Sequence, residues 1–245
     1  MLNLFKKKDV ARPIFAPLGT DMHCHLIPKV DDGSKCMEES IECLETLHAV
    51  GYKKVIITPH FQHPRFPNDE EDIKRRYEEI KKQAAEQGLE IELVGIGGEY
   101  RIDTGFAARL ENPRFLMVGN KYVLVEFSLH QQMMGSDELI FDLQMKGYDV
   151  ILAHPERYPY LNVNGMRMEQ LKNQGVFFQI NSLSLGGFYG DEAKKRAFEM
   201  LDRGWVEFMG TDIHNTMYAQ ALRELSNNRK VEKVLEKYQF MNNTL

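Results

Sequence analysis

Five of the eight histidines in this chain fall directly after short apolar runs. His23 and His25 follow GTDM, His60 follows VIITP, His154 follows VILA and His214 follows FMGTDI. Carboxylates stand in the matching places elsewhere: Glu99 after ELVGIGG, Glu126 after YVLV, and Asp212 two residues before His214. An extended strand points residues i and i+2 to one side, so His23/His25 and Asp212/His214 are two-pronged chelators. Imidazole combined with carboxylate suits Zn, Fe, Mn or Co rather than a soft thiolate metal such as Cu(I). Cys24, between the first two prongs, should face away from them and pack. Asp31 and Asp32 in VDDG follow the first run, with Gly33 making the turn, and either could complete the set. His48, His63 and His130 hold no comparable position and read as structural.

Those residues need strands to present them from one end. Seven runs qualify: GTDMHCHL, KKVIIT, IELVGI, YVLVEF, DVILAH, VFFQIN and WVEFMG, most of them apolar on both alternating sets, as in buried parallel strands. Helical patterns lie between them, one with Met37, Ile41, Leu44 and Leu47 on one face after a candidate cap, Ser34, and a long charged one opened by Asn68. Glycine follows five helices and precedes the next strand, at Gly51, Gly88, Gly147, Gly175 and Gly204, the usual left-handed cap. Strand-helix alternation through 245 residues predicts a single α/β domain, a TIM-like (β/α)7 barrel over residues 20–245 behind an N-terminal extension, 1–19. The site then sits at the C-terminal ends of the strands. An open doubly wound sheet is the alternative.

Composition excludes several functions. Lys+Arg 31 against Asp+Glu 36 gives a net charge of -5, which provides no field for gripping nucleic acid. Three cysteines without metal-finger spacing suit a reducing compartment, and no run approaches a membrane span or a signal-peptide core, so a cytoplasmic protein is expected. Leu2, Leu4 and Phe5 beside Lys6, Lys7 and Lys8 could touch a membrane weakly, but a frayed terminus explains them as well. Thiol phosphatases place arginine six residues after cysteine; here those positions are Val30, Glu42 and Ala49. No G-x-S-x-G elbow and no phosphate-binding G-x-x-x-x-G-K-[ST] loop occurs. Gly95, Gly97 and Gly98 precede Glu99 and read as room for a strand end.

In order, H-x-H, T-P-H, G-G-E, V-E-F-S, A-H-P-E-R-Y and T-D-I-H-N over residues 20 to 215 resemble the polymerase and histidinol phosphatase superfamily, and V-D-D-G, L-V-E-F-S and A-H-P-E-R-Y resemble its bacterial protein-tyrosine phosphatase branch of capsular and exopolysaccharide regulation. The resemblance implies a distorted (β/α)7 barrel with three divalent ions, Mn with Fe or Zn as alternatives. It carries over His23, His25, Asp32, His60, Glu99, Glu126, His154, Asp212 and His214 as ligands, and it favours Asp32 over Asp31. The implied partition sets His23, His25, Glu99 and Asp212 around one ion, Glu99, Glu126 and His154 around a second, and Asp32, His60 and His214 around a third. Four carboxylates against three dications leave two positive charges, one after a bridging hydroxide is counted, so the site invites an anion such as phosphate.

Arg157, three residues after His154, could bind two phosphate oxygens at once, and Arg65 and Arg101 are further substrate-binding candidates. The family pattern often carries an arginine shortly after D-x-H-N; here Thr216, Met217 and Tyr218 follow, with Arg223 the nearest. The expected activity is metal-dependent hydrolysis of phosphotyrosine in protein, by resemblance on a bacterial tyrosine kinase tail. In it, a bridging hydroxide attacks phosphorus, Glu99 bridges two metals and Arg157 holds the oxygens. Alternatives are a small-molecule phosphatase such as histidinol-phosphate phosphatase, then a nuclease, and, outside catalysis, a metal-bound regulator that binds a kinase.

Overall fold

The computed structural model describes residues 10–161, 163 and 165–245, so the Leu2 to Lys8 segment lies outside the described residues. In chain order the elements are β1 (Thr20–Asp21), α1 (Met37–Ala49), β2 (Lys54–Ile57), β3 (His60–Phe61), α2 (Glu70–Glu86), β4 (Glu92–Ile96), β5 (Glu99–Arg101), α3 (Thr104–Glu111), β6 (Tyr122–Glu126), α4 (Ser136–Met145), β7 (Asp149–Ala153), α5 (Met166–Asn173), β8 (Phe177–Asn181), α6 (Ser182–Gly186), α7 (Asp191–Asp202), β9 (Phe208–Gly210), α8 (Thr216–Leu225) and α9 (Arg229–Lys237). The strands form two parallel sheets, β1-β2-β4 and β3-β5-β6-β7-β8-β9.

Seven expected runs become nine strands because the second and third are interrupted. Pro59, which has no N–H to donate, separates β2 from β3, and Gly97-Gly98 separates β4 from β5. A Cβ on Gly97 would stand 2.8 Å from Val118 Cγ2, and one on Gly98 2.7 Å from Tyr100 Cε2, so both glycines make room where the chain passes between sheets. Gly95 faces open space and needs no such explanation. The first run ladders with β2 only at Thr20–Asp21, but its continuation bridges Cys24 to Ile213 in parallel. His25 N donates to Ile213 O at 2.9 Å, Asp212 N to His23 O at 2.8 Å and Thr58 N to Cys24 O at 2.8 Å. The first run therefore lies between the second and the last.

Gly51, Gly88, Gly147, Gly175 and Gly204 all have positive φ, between 67° and 117°, as the left-handed cap requires. Two expected caps are corrected. Ser34 does not open α1, because its backbone N–H is bound to His25 O and its carbonyl to Lys29 N in a tight loop; the helix starts after extended Cys36. Asp69, not Asn68, caps α2, accepting from Glu71 N at 3.0 Å and Asp72 N at 3.1 Å. Asn68 instead donates its amide to His60 O and Val30 O, tying that loop to the strand ends.

Strand alternation splits the core in two. Val123, Val125, Val150 and Leu152 join the larger cluster with the helices. Met22, Ile56, Leu124, Ile151, Ala153 and Phe208 form a smaller cluster on the other face, against which Met241 and Leu245 pack from the C-terminus. That second face turns polar toward the C-terminal strand ends: His60 lies four residues beyond Ile56, Glu126 two beyond Leu124, and Gln179 and Asn181 two and four beyond Phe177. Buried Asn242 fastens the C-terminal segment, donating to Thr20 O and Met209 O and accepting from Met209 N. Ile14, Phe15 and Leu18 also pack into the larger cluster, and Arg12 pairs with Glu232. No helix among the described residues is long and apolar enough to cross a membrane.

Candidate metal centre

Four ligand-type atoms converge beyond the strand ends. His23 Nε2 lies 3.2 Å from His25 Nε2, 3.3 Å from Glu99 Oε2 and 3.5 Å from Asp212 Oδ1, and His25 Nε2 is 3.3 Å from both carboxylate oxygens. The two imidazole nitrogens and either carboxylate oxygen form a triangle with edges of this size, whose centre lies about 1.9 Å from each corner, close to the bond length of a metal to imidazole nitrogen or carboxylate oxygen. All four residues are fully buried or nearly so. Glu99 extends the cluster, its Oε1 3.0 Å from His154 Nε2 and its Oε2 3.0 Å from His60 Nδ1, which is itself 3.4 Å from Glu126 Oε1. Asp32 Oδ1 closes the rim, 3.4 Å from His60 Nε2 and 3.7 Å from His214 Nε2.

All nine expected ligands are thus brought together, with Glu99 at their middle. Their grouping differs in detail from the expected partition. Glu126 groups with His60 and Glu99, while His154 groups with His23 and Glu99, so Glu126 and His154 meet only through Glu99. His60 faces two ways, since it also groups with His25 and His214.

Local backbone aims these side chains. His154 and Asp212 both adopt left-handed conformations, φ 37° and 53°, which in non-glycine residues cost about 1–3 kcal/mol and persist where the surroundings impose them. After His154 the turn Pro155–Arg157 folds Arg157 back, its N–H bound to His154 O at 2.9 Å. A second layer orients the rings. His25 Nδ1 is 2.9 Å from Asp31 Oδ2, His23 Nδ1 is 2.8 Å from Gln179 Oε1, and His214 Nδ1 is 2.8 Å from the carbonyl of Asp212, leaving each Nε2 to point inward. Gln179 donates to Asn181 Oδ1, and Asn181 to Asp212 Oδ2 at 2.7 Å.

Sequence reasoning left Asp31, Gln179 and Asn181 without roles in this layer. The polar pair at i, i+2 in the otherwise apolar FFQIN was the available signal. Cys24 packs, as expected; it is buried with its Sγ on Ile56 O.

Each candidate arginine is committed to a different carboxylate. Arg157 Nη1 donates to Asp212 Oδ2 at 2.8 Å with its guanidinium 4.3 Å over the Tyr189 ring, Arg101 Nε donates to Glu126 Oε1 at 2.9 Å, and exposed Arg65 donates to Asp32 Oδ2 at 3.1 Å. Arg223 turns away and donates to Thr46. Burial opposes ionisation of His60 and Glu99, yet the fields of their neighbours win: His60 is lifted to about 10 by Glu99 and Glu126, while His23 and His60 hold Glu99 well below the carboxylate range. His214, driven by burial and then by His25, drops to about 4. Buried Glu99 Oε2, His60 Nδ1 and His154 Nδ1 have no hydrogen-bond partner. A buried carboxylate oxygen left unsatisfied, as Glu99 Oε2 is, is what a cation would occupy. Above the cluster lies a cavity of about 330 Å3 that all three arginines line.

A family model described as capsular polysaccharide synthesis, CpsB/CapC, matches residues 19–241. The chain belongs to this family. Among CpsB/CapC relatives, CapC of Staphylococcus aureus is 31% identical over 88% of this chain and 85% of its own length. The tyrosine-protein phosphatase YwqE of Bacillus subtilis is 29% identical over 80% of this chain and 77% of its own, and the tyrosine-protein phosphatase CpsB of Streptococcus pneumoniae 30% identical over 80% and 82%. A crystal structure from work on YwqE and CpsB, described as metal-dependent tyrosine phosphatases, superposes with a TM-score of 0.76 at 26% identity, covering 91% of this chain and 96% of that one. An amidohydrolase from Mycoplasma synoviae shares the fold alone, with a TM-score of 0.53 at 13% identity over 97% of this chain and 95% of its own.

Proposed function

We infer that this CpsB/CapC protein is a metal-dependent phosphomonoesterase that removes phosphate from phosphotyrosine in protein. The observation that carries it is the convergence of Glu99 Oε2 and Asp212 Oδ1, each 3.3–3.5 Å from both His23 Nε2 and His25 Nε2, which are themselves 3.2 Å apart, beneath a cavity lined by three arginines. The orphaned Glu99 Oε2 and His60 Nδ1 and the mixed imidazole–carboxylate donors fit divalent ions. Three ions, manganese with iron or zinc as alternatives, would be held by His23, His25, Asp32, His60, Glu99, Glu126, His154, Asp212 and His214. Such ions supply Lewis acidity toward phosphoryl oxygens and lower the pKa of water.

The chain's own residues do the rest. Asp31 and Gln179 fix the ring orientations of His25 and His23. Arg157 has five N–H donors, one given to Asp212, and offers the others to the phosphate oxygens in a planar fork. Arg101 and Arg65 add positive charge at the wall. Phenol has a pKa near 10, so a tyrosine leaving group asks little of a general acid. The two sheets, joined through the Cys24–Ile213 bridge, are read as a distorted (β/α)7 barrel over residues 20–245. The natural substrate would be the phosphorylated tail of a tyrosine kinase in the cytoplasm.

The test is an assay of manganese-loaded protein on a phosphotyrosine peptide, its phosphoserine counterpart and histidinol phosphate, with metal analysis of the same sample. Turnover of the phosphotyrosine peptide well above the other two is expected. Preference for histidinol phosphate, or no metal in active protein, overturns the assignment.

A further inference from the structure

The cavity above the metal centre is polar on nearly every side, with Leu129, Met217 and Tyr218 the exceptions. Met217 and Tyr218 occupy the first turn of α8, the stretch after D-x-H-N where sequence comparison leads one to look for an arginine. Asn215 fixes that turn, its Oδ1 accepting from Met217 N at 3.0 Å and Tyr218 N at 3.4 Å. The Tyr218 ring lies 5.2 Å from the His214 ring and 4.9 Å from Phe188, so it is held against the ligand cluster. Met217 is 62% exposed, a large apolar side chain at the rim of a charged cavity. The nearest downstream arginine, Arg223, is turned toward α1.

A phosphomonoester has one charged end and one leaving group. With its phosphate on the histidine–carboxylate floor beside Arg157, the leaving group runs outward past the apolar members of the described lining, Leu129, Met217 and Tyr218. We propose that Met217 and Tyr218, with Leu129, form an aryl-binding wall that grips the ring of phosphotyrosine, so that this chain selects aryl over alkyl phosphomonoesters by binding as well as by leaving-group chemistry. This rests on the phosphatase function inferred above. A ring fits the wall because a thioether and an aromatic edge both attract a π-face, whereas a serine methylene leaves most of the wall bare.

The two sources of selectivity separate in kinetics. Leaving-group chemistry acts on kcat, while the wall acts on KM and on the affinity of inert analogues. Met217→Ala and Tyr218→Ala are compared with the parent on phosphotyrosine and phosphoserine peptides of one sequence, and by calorimetry on the matching non-hydrolysable phosphonomethyl-phenylalanine peptide. Phe141→Ala, an exposed residue on α4 outside the cavity lining, serves as control. The expected result is a rise of about three- to tenfold in KM for the phosphotyrosine peptide and in Kd for the aryl phosphonate, with a falling aryl-to-alkyl ratio of kcat/KM. If Tyr218→Ala does not fold, Met217→Ala and Met217→Glu, at a solvent-exposed position, decide the matter. Unchanged aryl KM and Kd overturn the wall. A parent protein that turns over no phosphomonoester overturns the phosphatase assignment instead, and the phosphonate affinities still decide the wall.

Discussion

Asp31→Asn removes one charge and keeps the shape of the side chain. Asp31 is buried, and its two oxygens serve His25 Nδ1 at 2.9 Å, His60 N at 3.0 Å and Gly33 N at 2.9 Å. An asparagine has one acceptor oxygen. If that oxygen keeps His25 and His60, the new NH2 confronts the Gly33 N–H and leaves a buried donor unpaired, at about 1–3 kcal/mol. The loop is held beside His25 by the hydrogen bonds of Ser34 N to His25 O and Lys29 N to Ser34 O. In either amide orientation the His25 imidazole loses its carboxylate partner, a change that costs about ten- to a hundredfold in metal affinity, or roughly 1.4–2.8 kcal/mol. At this chain length the folding term alone should lower Tm by about 2–12 °C. Competition against a chelating dye measures the affinity and calorimetric melting the stability. Asp32→Asn is the companion variant, since Asp32 is partly exposed and faces His60 and His214 rather than the loop; it should weaken metal binding without the drop in Tm. Parent-like metal affinity in Asp31→Asn, with or without a lower Tm, would refute the orienting role.

EDTA should abolish hydrolysis and manganese restore it, whereas iodoacetamide should do little, because Cys24 and Cys43 are buried with thiols pushed up by burial and exposed Cys36 does not line the cavity; a metal-stripped sample at full rate would contradict this. Glu99→Ala should lose metal, read by elemental analysis, and nearly all turnover while circular dichroism stays native, since the apolar clusters do not include it. Arg157→Lys keeps charge but loses the fork and its stack on Tyr189, so kcat/KM should fall at least about tenfold, on the order of 1.4 kcal/mol, at unchanged metal content; a parent-like value, with Arg65→Lys impaired, would move the phosphate clamp to the loop after β3. Asn242→Ala strands the Thr20 and Met209 backbone groups it serves and should lower Tm by several degrees in a thermal melt.

What the sequence determined by itself was whatever depends on short range. The left-handed caps at Gly51, Gly88, Gly147, Gly175 and Gly204 follow from the absence of a Cβ, and the strand ends carrying His23, His25, His60, Glu99, Glu126, His154, Asp212 and His214 follow from short runs mostly apolar on both faces. Strand-helix alternation then forced parallel pairing, which gathers one end of every strand together. Cap identity at Ser34 and Asn68 escaped because a side chain caps only if the loop before the helix is free to extend, and here both loops were already bound to the strand ends, one through His25 and the other through His60 and Val30. The resemblance favoured Asp32 over Asp31 as a ligand, but the role of Asp31 in orienting His25 escaped for a related reason. Adjacent carboxylates in a turn are equivalent until tertiary contacts bury one against His25 and leave the other at the rim with Arg65. Tertiary structure alone decided the partners of the arginines and the link from Asn181 to Asp212, since each joins residues tens of positions apart whose distance no local pattern encodes.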